Sequence, residues 1–167
     1  WHTWATPAQF FATTFLLGSL AVGAAFMGSI MWRRRAALKK GEGGLDLDEG
    51  ARTLLTRSLK GVGLTAVAML GVEFVIIPLH ISNLSAAGGA AAESAAVFSG
   101  AWFVARLVLV FAGAGLLAVF LYRYASAAKD SGVRLLAIVS TSAFVLVLAG
   151  ELIGRSQFYE QMARIGM

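Results

Sequence analysis

Five ionisable residues stand inside or at the edge of otherwise apolar stretches of this chain: Glu73, His80, Arg106, Glu151 and Arg155. Ionisable groups inside a bilayer are expensive, and where they occur they mark a partner, a pathway or a site. Glu73 and His80 are seven apart, two helical turns, and therefore share a face. A carboxylate and an imidazole are the side chains best suited to take a proton from a hydroxyl donor, which makes these two the proton-accepting candidates. Pro78 lies between them and has no N–H for the carbonyl of Phe74, so a kink and a free acceptor are expected there. Arg106, Glu151 and Arg155 form a second, structural or docking set. Glu151 and Arg155 are four apart and can pair along one helix face. A purely structural account stands beside this one: Arg106 and Arg155 snorkel to the nearer interface, and Glu151 only neutralises Arg155. Glu73 is the deepest of the set and has no local partner, and His80 also fits an interfacial hydrogen-bonding role.

The elements that must position these residues follow from composition. Of 167 residues, 58% are hydrophobic and 14% charged, whereas soluble domains run near half apolar and about a quarter charged. So small a globule has no interior for that excess. Four apolar stretches stand out, at about 8–32, 59–81, 101–122 and 133–154. At about 1.5 Å per residue, about 20 residues cross a hydrocarbon core. Helices are the reading that satisfies every backbone group in lipid, since none of the stretches alternates like a barrel strand. The fold class expected is thus an all-α integral membrane protein, one domain of four transmembrane helices packed as a bundle. Small residues at four-residue spacing mark its packing faces: Ser19/Gly23, Ala21/Ala25, Ala24/Gly28, Ala114/Ala118 and Gly150/Gly154.

The net charge of +5 is a topology signal. Eleven of the 14 basic residues lie in or beside the segments 33–58 and 123–132. Under the positive-inside rule these are cytoplasmic loops, and both ends of the chain lie on the outer side. Trp1, Trp4, Trp102 and Tyr159 then fall near the outer interface, and Trp32, Tyr122 and Tyr124 near the inner one. The placement of the charge argues against nucleic acid as a partner. Depth counting gathers the polar residues in the outer half, with Arg106 roughly 7–8 Å inside its helix end. Asp46 and Asp48 in the connector Gly41–Gly50 lack the third ligand and closing glutamate of a calcium loop. The stretch Ser82–Gly100 reads as a mobile outer connection with one helical turn near Ala90–Ala96. With no cysteine, thiolate-held iron–sulfur clusters are excluded from this chain. Only His2 and His80 could serve as axial ligands, so no haem is expected, and no metal site or catalytic residue set emerges.

The C-terminal segment Leu146–Met167 resembles the end of the dimethyl sulfoxide reductase membrane-anchor family (DmsC). The resemblance rests on Ala149-Gly150-Glu151-Leu152-Ile153-Gly154-Arg155, then Phe158-Tyr159 and the closing Ile165-Gly166-Met167. It is strong over that block. It extends loosely over the rest of the chain, through Thr6-Pro7 and Phe10–Gly18. The resemblance implies an anchor subunit that oxidises menaquinol and passes electrons to an iron–sulfur subunit. That subunit feeds a molybdopterin catalytic subunit, and the anchor itself carries no haem. Family members have eight spans, and this chain resembles their C-terminal four. With Trp1 in place of an initiator methionine, the expectation is the second half of an eight-helix anchor, packed against first-half helices. Glu151 and Arg155 carry over by motif, whereas Glu73, His80 and Arg106 are placed by depth counting. Given the resemblance, Glu73 and His80 become the quinol-binding candidates, and the membrane implied is the inner membrane of a bacterium or archaeon with both ends of the chain periplasmic. The family's quinol site is associated mainly with first-half helices, so a scaffold half without its own quinol site is the alternative. A haem-b anchor of the formate-dehydrogenase kind is a more distant one.

Overall fold

The protein is described from a computed structural model covering residues 4–41, 48–89, 95–124 and 132–165. Four long helices account for nearly all of it. Helix α1 spans Ala5–Lys39 and α2 spans Glu49–Ala87. Helix α3 comprises Ala101–Val110, a π-helical segment Phe111–Leu117, and Ala118–Tyr124. Helix α4 spans Gly132–Ile165. Among the described residues a 3₁₀ turn, Ala96–Ser99, precedes α3. All four helices are long and apolar enough to cross a membrane. The chain is an all-α bundle of four membrane-length helices, as its composition required.

Local chemistry sets the helix ends. Asp48 caps α2, its carboxylate accepting from the Ala51 N–H at 2.8 Å, and Glu49 in the first turn suits the helix dipole. This is the role the structure gives Asp48; residues 42–47, with Asp46, lie outside the described segments. Helix α1 closes at Lys40, whose N–H donates to Ala36 and Ala37 carbonyls, followed by Gly41 at φ 73°. The basic residues of 33–58 are therefore largely helical: α1 runs on to Lys39, α2 starts at Glu49, and residues 40–48 alone separate them. Helix α2 likewise continues through Pro78 to Ala87, so the proline is accommodated within the helix. Thr13, Thr14, Ser19, Ser29 and Ser85 donate their hydroxyls to carbonyls three or four residues back. Those bonds satisfy polar groups without help from water.

Helix α1 packs on α2 and α4, and α3 packs on the same two. Sequential helices run antiparallel, and α1 stands diagonally opposite α3. Two apolar clusters fill the axis. One joins Leu16 and Leu20 to Ala66, Leu70, Val110, Ala114, Ala118, Ala143 and Val147. The other joins Met27 to Leu55, Leu59, Leu121, Val133, Leu136 and Ala137. This second cluster lies at the end where Arg33–Arg35, Arg57, Lys60, Arg123 and Arg134 project. Large apolar side chains such as Phe15, Val22, Leu64, Val75, Val108, Leu116, Ile138 and Val145 point outward from every helix. A surface so apolar on all sides is one for lipid.

Close approach depends on small residues, though not always those that sequence spacing marks. Ala114, Ala118, Gly23 and Gly150 lie in contacts as expected, but Gly28 faces open space. Two unmarked glycines matter more. A Cβ on Gly63 would stand 2.7 Å from the Ala118 carbonyl oxygen, and one on Gly113 would stand 2.7 Å from Val147 and 2.9 Å from the Ala143 carbonyl oxygen. Gly61, two residues from Gly63, has nothing near it. Gly63→Ala is therefore expected to destabilise the bundle by about 1–3 kcal/mol. Gly61→Ala is expected to be neutral or to stabilise by up to about 1 kcal/mol. Thermal unfolding of the two variants in the same detergent checks the contrast.

Candidate functional site

Three of the sequence-marked residues meet inside the bundle. Glu73 of α2 is 2% exposed, Arg106 of α3 is 3%, and Glu151 of α4 is 7%. Arg106 Nη2 stands 3.5 Å from Glu151 Oε1, a pair that ties α3 to α4. Glu73 is near enough to interact electrostatically with both. Arg106 thus does not snorkel outward; it turns into the core, where two acids answer it. Glu73 Oε1 and Glu151 Oε1 are both buried without a hydrogen-bond partner; for Glu151 the contact with Arg106 is a long ion pair rather than a well-formed hydrogen bond.

Gly154 makes the arrangement possible. A Cβ there would lie 2.5 Å from Arg106 Nε and 2.6 Å from Cζ. The missing side chain is the space the guanidinium occupies. Gly150, one turn earlier, lets α4 approach the Arg106 carbonyl and the Val110 side chain of α3. The pair at Gly150/Gly154 therefore does two jobs: it brings two helices together and gives a buried cation room to lie flat between them.

Glu151 makes its ion pair across helices with Arg106, while Arg155, one turn further along α4, remains near enough to act on it electrostatically. The Arg155 side chain places its guanidinium 4.6 Å over the ring of Phe10, a cation–π contact linking α4 to α1. Phe10 also meets Phe158 edge to face at 5.6 Å. His80 sits apart from the triad. Two turns beyond Glu73, it is half-buried and packs edge-on to Phe98 of the 3₁₀ turn at 6.0 Å. Phe98 in turn packs on Phe103, three residues before Arg106. His2 lies outside the described residues. Among the described residues, no group of three or more His, Asp or Glu side chains is placed to hold a metal.

Beside the triad run two recesses of different kinds. Between α2 and α3, a small depression of about 10 Å³ is lined by Glu73, Phe74, Arg106 and Leu107 among others. That is about the space one water needs. Between α1 and α4 lies a groove of about 410 Å³. Its length is apolar, with Leu17, Ala21, Phe144 and Leu148. Its polar end carries Thr13, Thr14, Glu151 and Arg155. A further recess of about 40 Å³ continues from that end past Thr13 and Glu151 to Gln9, Phe10 and Phe158. Glu151 is thus the member of the triad that faces the groove, and Glu73 is the member that faces the opposite side.

Sequence reasoning passed over Thr13 and Gln157, both buried polar residues. Thr13 falls on the inward face with Leu16 and Leu20, a periodic position that could have found it. Gln157 Oε1 lacks a hydrogen-bond partner and lies beyond the apolar span in sequence, where nothing distinguishes it from a surface residue.

No family model, curated protein or solved structure matches this chain. The triad must be tested on its own chemistry. Arg106→Met leaves two buried acids without their base and is expected to cost about 3–5 kcal/mol, as for any broken buried pair. Adding Glu151→Leu to it removes one of the orphaned acids and is expected to recover much of that loss. Unfolding of single and double variants in detergent reads the difference.

Proposed function

We propose that this chain is a membrane-anchor subunit, or the C-terminal half of one, in an oxidoreductase complex of the dimethyl sulfoxide reductase kind, supporting oxidation of menaquinol. The observation that carries the reading is the buried Glu73–Arg106–Glu151 triad at one end of a lipid-facing bundle. The likeness of the C-terminal block to the DmsC anchors supports the choice of complex.

Quinol oxidation releases two protons and two electrons. The electrons pass to an iron–sulfur subunit and from there to a molybdopterin catalytic subunit, both separate chains. The protons need bases positioned where the hydroxyls are, since general-base help is worth about 10²–10⁴-fold. Glu151 and Glu73 supply carboxyl oxygens that accept no hydrogen bond, and Arg106 holds them in place. His80, two turns beyond Glu73, stands on the way out. In this reading the basic end of the bundle faces the cytoplasm and the triad lies toward the periplasmic side, where the partner subunits dock.

The Arg106–Glu151 link between α3 and α4 also favours a second reading, a scaffold half that holds the complex together without touching quinol. The two differ in what mutation does. For a quinol-oxidising anchor, Glu73→Gln and Glu151→Gln lower turnover per assembled complex by about 10²-fold while assembly holds. For a scaffold, assembly falls and turnover per assembled complex is preserved. Quinol oxidation measured on purified intact complexes, normalised to the bound iron–sulfur subunit, separates them. Unchanged turnover in both Glu73→Gln and His80→Ala rules out proton acceptance by these two side chains.

A further inference from the structure

We infer that the groove between α1 and α4 seats one anionic phospholipid, with its phosphate at Arg155 and an acyl chain along Leu17, Ala21, Phe144 and Leu148. The inference stands apart from the quinol-oxidising reading and survives its failure.

Charge selects the head. Arg155 is exposed at the polar end of the groove. Among the described residues it forms no ion pair of its own; its guanidinium lies over Phe10 and acts on Glu151 across a longer distance. The recess that continues from this end is bordered by two guanidiniums, Arg106 and Arg155, and by one carboxylate, Glu151. That carboxylate is buried and paired with Arg106, and Glu73 borders neither space. One positive charge is left over, and Arg155, the exposed member, carries it to the surface. A guanidinium fork matches the oxygens of a phosphate. A zwitterionic head would bring a further cation to a site whose surplus is already positive, so a head of net negative charge fits best.

Depth and shape select the rest. Trp4 and Tyr159 are largely exposed and stand one to two turns further out than Phe10 and Arg155. Trp and Tyr favour the headgroup level, so Arg155 lies at its inner edge, within reach of a lipid phosphate. From there the groove runs inward for about 16 Å along α4, from Arg155 to Phe144. Its lining changes from polar to apolar in the same direction. A volume of about 410 Å³ drawn out over that length is a narrow trough. It suits an extended hydrocarbon chain, whereas a helix, about 10–12 Å across, is too wide to lie within it. The trough opens sideways between helices whose outer faces are apolar, so a lipid enters it directly from the bilayer.

Gly18 and Arg155 separate chain from head. Gly18 lines the trough, and a Cβ there meets nothing within 4 Å, so Gly18→Leu blocks the chain without disturbing helix packing. Gly28 is equally open on α1 but borders no part of the trough, which makes Gly28→Leu the control. The full chain, purified in detergent with any chains that accompany it, is photolabelled with phosphatidylglycerol and with phosphatidylcholine, each bearing a diazirine in one acyl chain. Labelled peptides are expected from residues 13–21 and 144–155. Phosphatidylglycerol is expected to reach half-labelling at about fivefold lower concentration, the worth of one basic side chain against an anionic head. Arg155→Gln is expected to abolish that preference and Arg155→Lys to keep most of it. Gly18→Leu is expected to remove the label for both lipids, and Gly28→Leu to leave it. A trough labelled equally by both lipids, or by a diacylglycerol probe, with Arg155→Gln changing nothing, holds a neutral amphiphile and overturns the proposal. Labelling by phosphatidylglycerol only at the basic end of the bundle, or a trough shielded by an accompanying chain, overturns it as well.

Discussion

A guanidinium within an apolar bundle imposes its terms on everything around it. Arg106 cannot stay buried unless acids reach it, and its own helix supplies none, so they come from α2 and α4. That requirement fixes the rotation of three helices at once. It explains why α4 presents a glycine where a side chain would displace the cation, and why two carboxyl groups share one level of the bundle. Breaking such a cluster costs more than its formation contributes, because the remaining charges have no water to turn to.

The other end of the bundle is built on different terms. There the core is wholly apolar, with Met27, Leu59, Leu121 and Leu136 closing the axis, and the charges stay outside it on the helix extensions. The one polar interruption between the two ends, among the described residues, is Ser140, buried against Gly23. The bundle is therefore asymmetric along its length: one end is greasy and closed, the other carries ionisable groups and an opening to the side. An asymmetry of that kind gives a membrane protein a working end and an anchoring end.

Much of this is written locally and was legible. Charged residues within apolar runs identify Glu73, Arg106 and Glu151, since each violates the composition around it. The spans themselves follow from length and hydropathy. What was not legible is pairing. Spacing along one helix offers Arg155 to Glu151, and only the packing of α3 against α4 at Gly150 and Gly154 adds Arg106. Of the contact between Gly63 and Ala118, spacing marks only the Ala114/Ala118 side, since Gly63 belongs to no small-residue repeat of its own. The groove is a product of how far apart α1 and α4 stand along the stretch from Thr13 to Ala21, which no residue pattern encodes. The reach of α1 and α2 past the apolar spans was hidden for the opposite reason: polar helix and polar loop have similar compositions, and the cap at Asp48 decides between them.

The π-helical segment in α3 has a consequence for phase. The inward residues of this helix recur every four positions, at Arg106, Val110, Ala114 and Ala118. In an uninterrupted α-helix, at about 100° per residue, twelve residues would swing Ala118 about 120° away from the face of Arg106. The wider turn at Phe111–Leu117 absorbs about one residue's worth of rotation and brings the second half of the helix back into line. The three consecutive small residues Gly113, Ala114 and Gly115, all buried, are what a turn of that width can fit between two neighbouring helices. Arg106 at one end and Leu121 at the other thus answer to the same axis across a slip in register. A helix one residue shorter at this point would keep both by ordinary α-helix alone.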